Sequence, residues 1–153
     1  MKIIFLDIDG VLNTAENFVE GNLPSNPTME EINLSMLDER LIKNLNTIIE
    51  ETGAKVVVSS TWRMGRSIEE LKCLLDKKGF VGEIIGKTPI LNDDRGIEIQ
   101  KFIDESSFNI DSFTILDDDS DMCHLMDKLI QTNFIEGLNN ITVKNAIKML
   151  KEL

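Results

Sequence analysis

The chain of 153 residues is poor in the side chains that usually carry redox, zinc or imidazole chemistry. It has two cysteines, one histidine and no tyrosine. Cys73 and Cys123 stand far apart without any C-x-x-C spacing, which argues against a disulfide framework and a zinc site and predicts a reducing, cytoplasmic location. With so little histidine, acid–base chemistry in this chain would fall mainly to carboxylates.

Positive charge and long apolar runs are also scarce. Sixteen lysines and arginines face 27 acidic residues, which leaves a net charge of −11. The field of such a chain repels phosphates and anionic lipid, so a phosphorylated substrate needs a local cation or a metal ion. The first apolar run ends at Asp7, too early for a signal peptide, and no run reaches the length of a membrane span. We therefore expect no membrane association.

Short apolar runs alternate with amphipathic patterns along the chain. The apolar runs predict strands at 3–6, 56–58, 84–85, 113–116 and 129–131. Helices are predicted at 38–52, 67–79, after Asp94 and from Thr142. Wholly apolar strands joined by helices predict an α/β fold, a Rossmann-like and mostly parallel sheet with helices on both faces. We interpret residues 1–153 as a single domain in which residues 13–37 form a flap, and we expect a short helical turn within it.

Two groups of aspartates follow predicted strands. FLDIDGVLN places Asp7 and Asp9 after the first strand, and LDDDSD places Asp117 and Asp118 after the fourth. An Asp-x-Asp-Gly segment by itself is equally compatible with a turn. However, the carboxyl ends of parallel strands meet at one edge of a sheet, and clustered carboxylates repel each other unless a cation lies among them. Oxygen ligands without histidine or cysteine suit Mg²⁺ better than zinc.

Hydroxyl groups follow the second predicted strand, in VVVSSTWR at residues 56–63. A hydroxyl of Ser59 or Ser60 at that position can bind a phosphate, or it can cap a turn. Arg63 can bind a phosphate or reach a carboxylate. Trp62 can stack on a base, although packing is the more common role of a single indole.

A further cation is needed to offset the charge of a phosphoryl group during transfer. Arg95 and Lys87 are the two candidates. We favour Arg95, since a basic residue at the start of a helix is unfavourably placed unless it faces acidic groups. Five basic residues are candidates for a local basic face, although helix-surface lysines are more often only solvated: Arg63, Arg66, Lys72, Lys77 and Lys78.

Taken together, these groups resemble the haloacid dehalogenase-like (HAD) superfamily of phosphohydrolases. FLDIDGVLN is similar to its first motif, VVVSS to its second, Arg95 or Lys87 to its third basic position, and ILDDDSD to its acidic fourth motif. The segments SSTWR, TPILNDDRGIEI and NFIEGLNN further resemble the small HAD domain associated with bacterial and phage RNA-repair proteins. The resemblance implies a HAD-like fold with a minimal cap and a Mg²⁺-dependent phosphatase.

The resemblance also implies roles for the motif residues. Asp7 would be the nucleophile that forms an aspartyl-phosphate, and Asp9 would be the general acid and base. Ser59 would bind the phosphate, with Ser60 as the alternative register.

The metal ligands would be Asp7, the backbone carbonyl of Asp9, Asp117 and Asp118. Asp121 would orient these ligands, and Asp119 is expected in solvent. His124 lies just after this motif, but a lone histidine is more often a surface or packing residue.

Only the flap and the loop at residues 87–94 occupy the usual cap positions, so the predicted site is open. An open site suits a phosphate on a large substrate, or a site completed by a partner chain or oligomer. A nucleotide or polynucleotide end is favoured over a small metabolite. The alternative function is a non-catalytic module that binds Mg²⁺ and phosphate.

Overall fold

The computed structural model describes residues 1–18 and 23–152. Within them, five parallel strands form one sheet in the order β3-β2-β1-β4-β5. Their bounds are β1 Lys2–Leu6, β2 Lys55–Val58, β3 Ile84–Lys87, β4 Ser112–Asp117 and β5 Leu129–Gln131. The prediction of a parallel sheet is confirmed, and β3 and β4 are both longer than their apolar runs alone predicted.

Five α-helices accompany the described strands: α1 Met29–Ser35, α2 Glu39–Thr52, α3 Ile68–Asp76, α4 Arg95–Glu105 and α5 Asn140–Lys151. Their ends follow local capping chemistry. Asp38 accepts the Arg40 N–H at the start of α2, and Gly53 ends that helix in the left-handed conformation. The last helix starts two residues before the predicted Thr142, because the side chain of Asn139 caps it.

The two faces of the sheet carry separate apolar cores. Helices α2, α3 and α5 pack on one face, against Ile4, Val56 and Leu116 among others. Helix α4 packs on the opposite face through Ile99 and Phe102, together with a 3₁₀-helix at Cys123–Lys128. Helices therefore cover both faces, as predicted.

The connectivity creates a topological switch point at the carboxyl edge of the sheet. The chain runs outward from β1 to β3 on one face and returns under α4 to β4, on the other side of β1. Connections thus leave β1 and β4 in opposite directions, and ligands bind outside such a switch point in open α/β sheets. The aspartate groups follow these two strands.

The flap predicted at residues 13–37 contains a 3₁₀-helix at Ala15–Phe18 and the helix α1. The predicted short helical turn is therefore present, and α1 adds a second helical segment; residues 19–22 lie outside the described part. Glu30 of α1 forms an ion pair with Lys77 after α3, which links this end of the flap to the end of α3. Among the described helices, none combines the length and apolarity that a membrane span needs.

Candidate active site

Three carboxylates converge where β1 and β4 end. Asp7 follows β1, and its N–H donates to the Leu116 carbonyl at 2.9 Å, which aligns it with Asp117 at the end of β4. One carboxylate oxygen from each of Asp7, Asp117 and Asp118 lies within 4.8 Å of the others. Asp7 and Asp117 are buried, whereas Asp118 is half-buried. This set of oxygen donors fits a hard divalent cation.

Burial is the main influence on the pKa values of this cluster. It raises the pKa of both Asp7 and Asp117, because a buried carboxylate loses its hydration. The charge of Asp7 raises the pKa of Asp117 further, while Arg95 acts in the opposite direction on both carboxyls. Two ionised carboxylates are therefore costly here even beside Arg95, and a bound divalent ion would relieve that cost.

Arg95 lies between the two buried carboxylates. Its Nη1 atom is 3.3 Å from Oδ2 of Asp117 and 3.6 Å from Oδ1 of Asp7. Lys87, the alternative cation, instead donates from Nζ to the Arg66 carbonyl at 2.7 Å, and it forms no ion pair with a described carboxylate. Of the two candidates, Arg95 is the one that the fold brings to the aspartates.

The start of α4 is held by a residue from outside the helix. Asp94 makes no capping hydrogen bond with its side chain. Asp121 takes over this role, since its Oδ2 accepts the Arg95 N–H at 3.1 Å and its carbonyl accepts the Gly96 N–H at 3.0 Å. Asp121 thus orients Arg95 through the helix terminus.

The two serine hydroxyls after β2 have different environments. The Oγ atom of Ser60 accepts the Trp62 N–H at 3.2 Å and caps a 3₁₀-helix at Thr61–Arg63. Ser59 is fully buried, and its Oγ atom has no hydrogen-bond partner among the described residues. A buried hydroxyl without a partner is uncommon, and of the two serines only Ser59 has a hydroxyl free to bond a ligand.

The contacts of Arg63 do not support the predicted role in phosphate binding. This side chain is 2% exposed, and its guanidinium donates to Glu98 Oε1 at 3.0 Å. The remaining bonds of Arg63 go to four backbone carbonyls, those of Ser59, Ser60, Thr88 and Pro89. Because all its donors are engaged, Arg63 fixes the loops after β2 and β3 instead of meeting a ligand.

Three residues near the site were missed as site residues by sequence reasoning. Asn13, counted in the flap, is fully buried and donates to Asp9 at 2.9 Å, and the Trp62 indole donates to the same oxygen at 3.1 Å. Glu98 is buried, binds Arg63 and lies 3.8 Å from Arg95. The sequence does indicate a contact between Glu98 and Arg95, since residues three positions apart share one face of a helix. No sequence pattern pairs Trp62 with Asp9.

Other expectations concern the surface. Asp119 is exposed as predicted, and His124 is exposed with Gln100 as its partner. The five basic residues considered for a basic face do not act as a set, because Arg63 is buried, Lys72 pairs with Asp76 and Lys77 pairs with Glu30. Arg66 forms no ion pair with a described carboxylate, and its guanidinium lies 5.4 Å from the centre of the Trp62 ring.

A comparison with protein families gives one match over most of the chain. The family model described as "HAD domain in Swiss Army Knife RNA repair proteins" matches residues 3–143. No curated protein and no solved structure matches. The matched range includes the strands and aspartates described above, and the resemblance inferred from the motifs is confirmed.

Proposed function

The chain belongs to the family of HAD domains found in Swiss Army Knife RNA repair proteins, and we propose that it is a Mg²⁺-dependent phosphomonoester hydrolase. The observation that carries the proposal is the convergence of Asp7, Asp117 and Asp118 around one point, with Arg95 in contact with two of them. A cluster of buried acidic groups beside one cation is costly to the fold. Such costly clusters are typical of functional sites, and this one has the groups that metal-dependent phosphoryl transfer needs.

Asp7 is the nucleophile in this proposal. Its carboxylate oxygen attacks phosphorus, and the bond from phosphorus to the leaving oxygen breaks as the bond to Asp7 forms. Arg95 Nη1, 3.6 Å from that carboxylate, is close enough to offset charge on the phosphoryl oxygens. The unpartnered Ser59 hydroxyl supplies a further hydrogen bond to the phosphate.

Asp9 is the general acid and base. It gives a proton to the leaving oxygen in the first half of the reaction and takes one from the attacking water in the second half. Asp9 is half-buried, whereas Asp7 and Asp117 are buried, so it can meet both the leaving group and water.

Carboxylate oxygens of Asp7, Asp117 and Asp118 would hold the Mg²⁺ ion, with the Asp9 carbonyl as a further ligand. The bound ion supplies positive charge that offsets the repulsion between carboxylates and phosphate. Asp121 has an indirect role, because it fixes the start of α4 and thereby positions Arg95.

The favoured substrate is the phosphorylated end of a nucleic acid or a nucleotide. The family description supports this substrate. The flap supports it too, because its described helices are only four and seven residues long and leave room for a large substrate. Among the described residues, Arg66 is the cation beside Trp62 that has no carboxylate partner and is available for a substrate backbone. The net charge of −11 argues against a long nucleic-acid groove, so the contact would be confined to the chain end.

The location in the cell belongs to the same proposal. Cys73 and Cys123 are both free and exposed, which supports the predicted reducing, cytoplasmic environment.

The direct test is phosphate release from an aryl phosphate, measured with and without EDTA and in Asp7→Asn. We expect release that needs Mg²⁺ and that disappears in the variant, because an amide cannot attack phosphorus. Undiminished turnover in Asp7→Asn would remove the nucleophile assignment. If no substrate is turned over while Mg²⁺ still binds, the chain is a binding module instead.

Substrate class requires a second comparison. Oligonucleotides with 3′- or 5′-phosphates, mononucleotides and sugar phosphates are compared by kcat/KM. We expect a nucleic acid end or a nucleotide to be preferred, and Arg66→Ala to lower kcat/KM for oligonucleotides more than for sugar phosphates. A preference for sugar phosphates would defeat the nucleic-acid proposal and leave the phosphatase intact.

A further inference from the structure

The proposed acid and base, Asp9, is held on one side by two buried donors. Its Oδ1 atom accepts a hydrogen bond from Asn13 Nδ2 at 2.9 Å and another from the Trp62 indole Nε1 at 3.1 Å. Asn13 is fully buried and Trp62 is 8% exposed. Both donors meet the same oxygen, and no hydrogen bond from a described residue reaches Oδ2.

Each of these donors is itself anchored. Asn13 Oδ1 accepts the Gly10 N–H, and Asn13 Nδ2 also donates to the Met36 carbonyl. Trp62 is fixed by its backbone N–H on Ser60 Oγ, and the Arg66 guanidinium covers its ring. The indole and the amide are therefore rigid supports, and not side chains that chance to lie nearby.

This arrangement makes the two oxygens of Asp9 unequal. An oxygen that already accepts two N–H groups has no room to present a proton to a substrate. The other oxygen is left to exchange protons, and the carboxyl plane cannot rotate without breaking both bonds. Preorganisation of this kind lowers the cost of reaching the reactive geometry.

We propose that Trp62 and Asn13 are positioning residues that make Asp9 Oδ2 the oxygen of proton transfer. This inference rests on the proposed phosphatase function. In the first half, the proton on Oδ2 passes to the leaving oxygen as its bond to phosphorus breaks and the Asp7–phosphorus bond forms. In the second half, Oδ2 takes a proton from water as water attacks phosphorus and the Asp7–phosphorus bond breaks.

The role assigned to Trp62 is more specific than packing. An indole that only filled the core would need no partner for its N–H other than water or any nearby carbonyl. Here the N–H meets the one carboxylate that the mechanism needs to orient, and the tryptophan belongs to the turn that carries Ser59. Trp62 thus connects the phosphate-binding turn to the acid.

The test is the variant Trp62→Phe, which keeps most of the ring and removes the N–H donor. Its kcat/KM is measured on a series of phosphate esters from activated aryl phosphates to alkyl phosphates. A good leaving group needs little protonation, whereas a poor one depends on the acid. Because general acid catalysis contributes about 10²–10⁴-fold, we expect a loss of at least about tenfold on alkyl phosphates and a much smaller loss on activated aryl phosphates.

A loss of equal size across the whole series would overturn the proposal, since it would show a structural effect alone. The second measurement combines Trp62→Phe with Asp9→Asn. Removal of the indole N–H should have almost no further effect once the acid is gone. Losses that simply multiply in the double variant would also overturn the proposal.

These outcomes are distinct from a failure of the proposed function. If the wild-type chain turns over no phosphate ester, the phosphatase assignment itself fails. If it does, and Trp62→Phe retains the wild-type dependence on the leaving group, only the positioning role fails. Thermal unfolding of each variant shows whether the comparison is made on folded protein.

Discussion

The carboxylate of Asp118 lies directly over Gly10, so closely that a β-carbon at that position would overlap it. Gly10 also has a φ of +80°, a conformation that other residues adopt at a cost. The turn after Asp9 therefore needs glycine for two reasons. One is the backbone conformation, and the other is the space taken by a proposed metal ligand.

Gly10→Ala should consequently lose Mg²⁺ affinity as well as stability, because Asp118 must move. The matched control is Gly53→Ala, since Gly53 has a φ of +71° with nothing near its missing β-carbon. The control should show only the strain of the backbone, on the order of 1 kcal/mol. Calorimetric titration with Mg²⁺ checks the difference; equal affinities in the two variants would contradict the packing argument.

Arg95→Ala should reduce turnover by about 10²-fold or more, because among the described residues Arg95 is the cation in contact with Asp7 and Asp117. Lys87→Ala is the matched control, since Lys87 bonds only to a backbone carbonyl. We expect the control to retain most of the activity. Steady-state kinetics on one aryl phosphate settle the comparison, and a larger loss in Lys87→Ala would reverse the assignment of the two cations.

The two serines should respond in opposite ways. Ser59→Ala removes a hydroxyl that has no partner, so stability should hardly change while KM for the phosphate ester rises. Ser60→Ala removes the cap on the Trp62 N–H and should cost about 1 kcal/mol of stability. Urea unfolding and KM are measured on both variants. A rise in KM confined to Ser60→Ala would mean that Ser60 binds the phosphate.

Without Mg²⁺, the free energy of unfolding should fall as pH rises. Burial raises the pKa of Asp7 and Asp117. Between the ordinary carboxyl pKa and these raised values, the folded state therefore binds more protons than the unfolded state. Their contribution is complete below the ordinary carboxyl pKa, near pH 4, and is lost as pH rises through the raised values. Urea unfolding in EDTA at several pH values measures the slope. Asp117→Asn should flatten it, and Mg²⁺ should oppose it; a slope unchanged in Asp117→Asn would contradict the argument.

Glu98→Gln tests the buried ion pair with Arg63. Loss of this partner leaves the buried Arg63 guanidinium without its paired carboxylate, which should cost about 3–5 kcal/mol. The matched control is Glu105→Gln, on the same helix, where the pair with Lys101 is exposed and should contribute little. Thermal unfolding compares the two; similar losses would show that burial of the Arg63 pair is unimportant.

Much of the fold was predictable because its signals are local. Apolar runs mark the strands, and caps such as Asp38 and Ser67 mark helix starts within a few residues of the chain. The edge to which Asp7 and Asp117 are brought follows from the parallel connection of these strands. Local patterns could therefore place the aspartates, the serines and Arg95 at one edge.

The roles of individual side chains at that edge depended on contacts between distant parts of the chain. Arg63 belongs to the same SSTWR segment as Ser59. Its burial against Glu98 and four carbonyls nevertheless leaves it no donor for a phosphate. The local pattern around Trp62 indicates only a packing or stacking role, whereas the fold places its indole N–H on Asp9, 53 positions earlier in the chain. Sequence by itself determined the sheet and the chemical groups at its edge. The tertiary structure alone decided which groups are free to react, because hydrogen bonding and burial at each atom depend on neighbours that are remote in sequence.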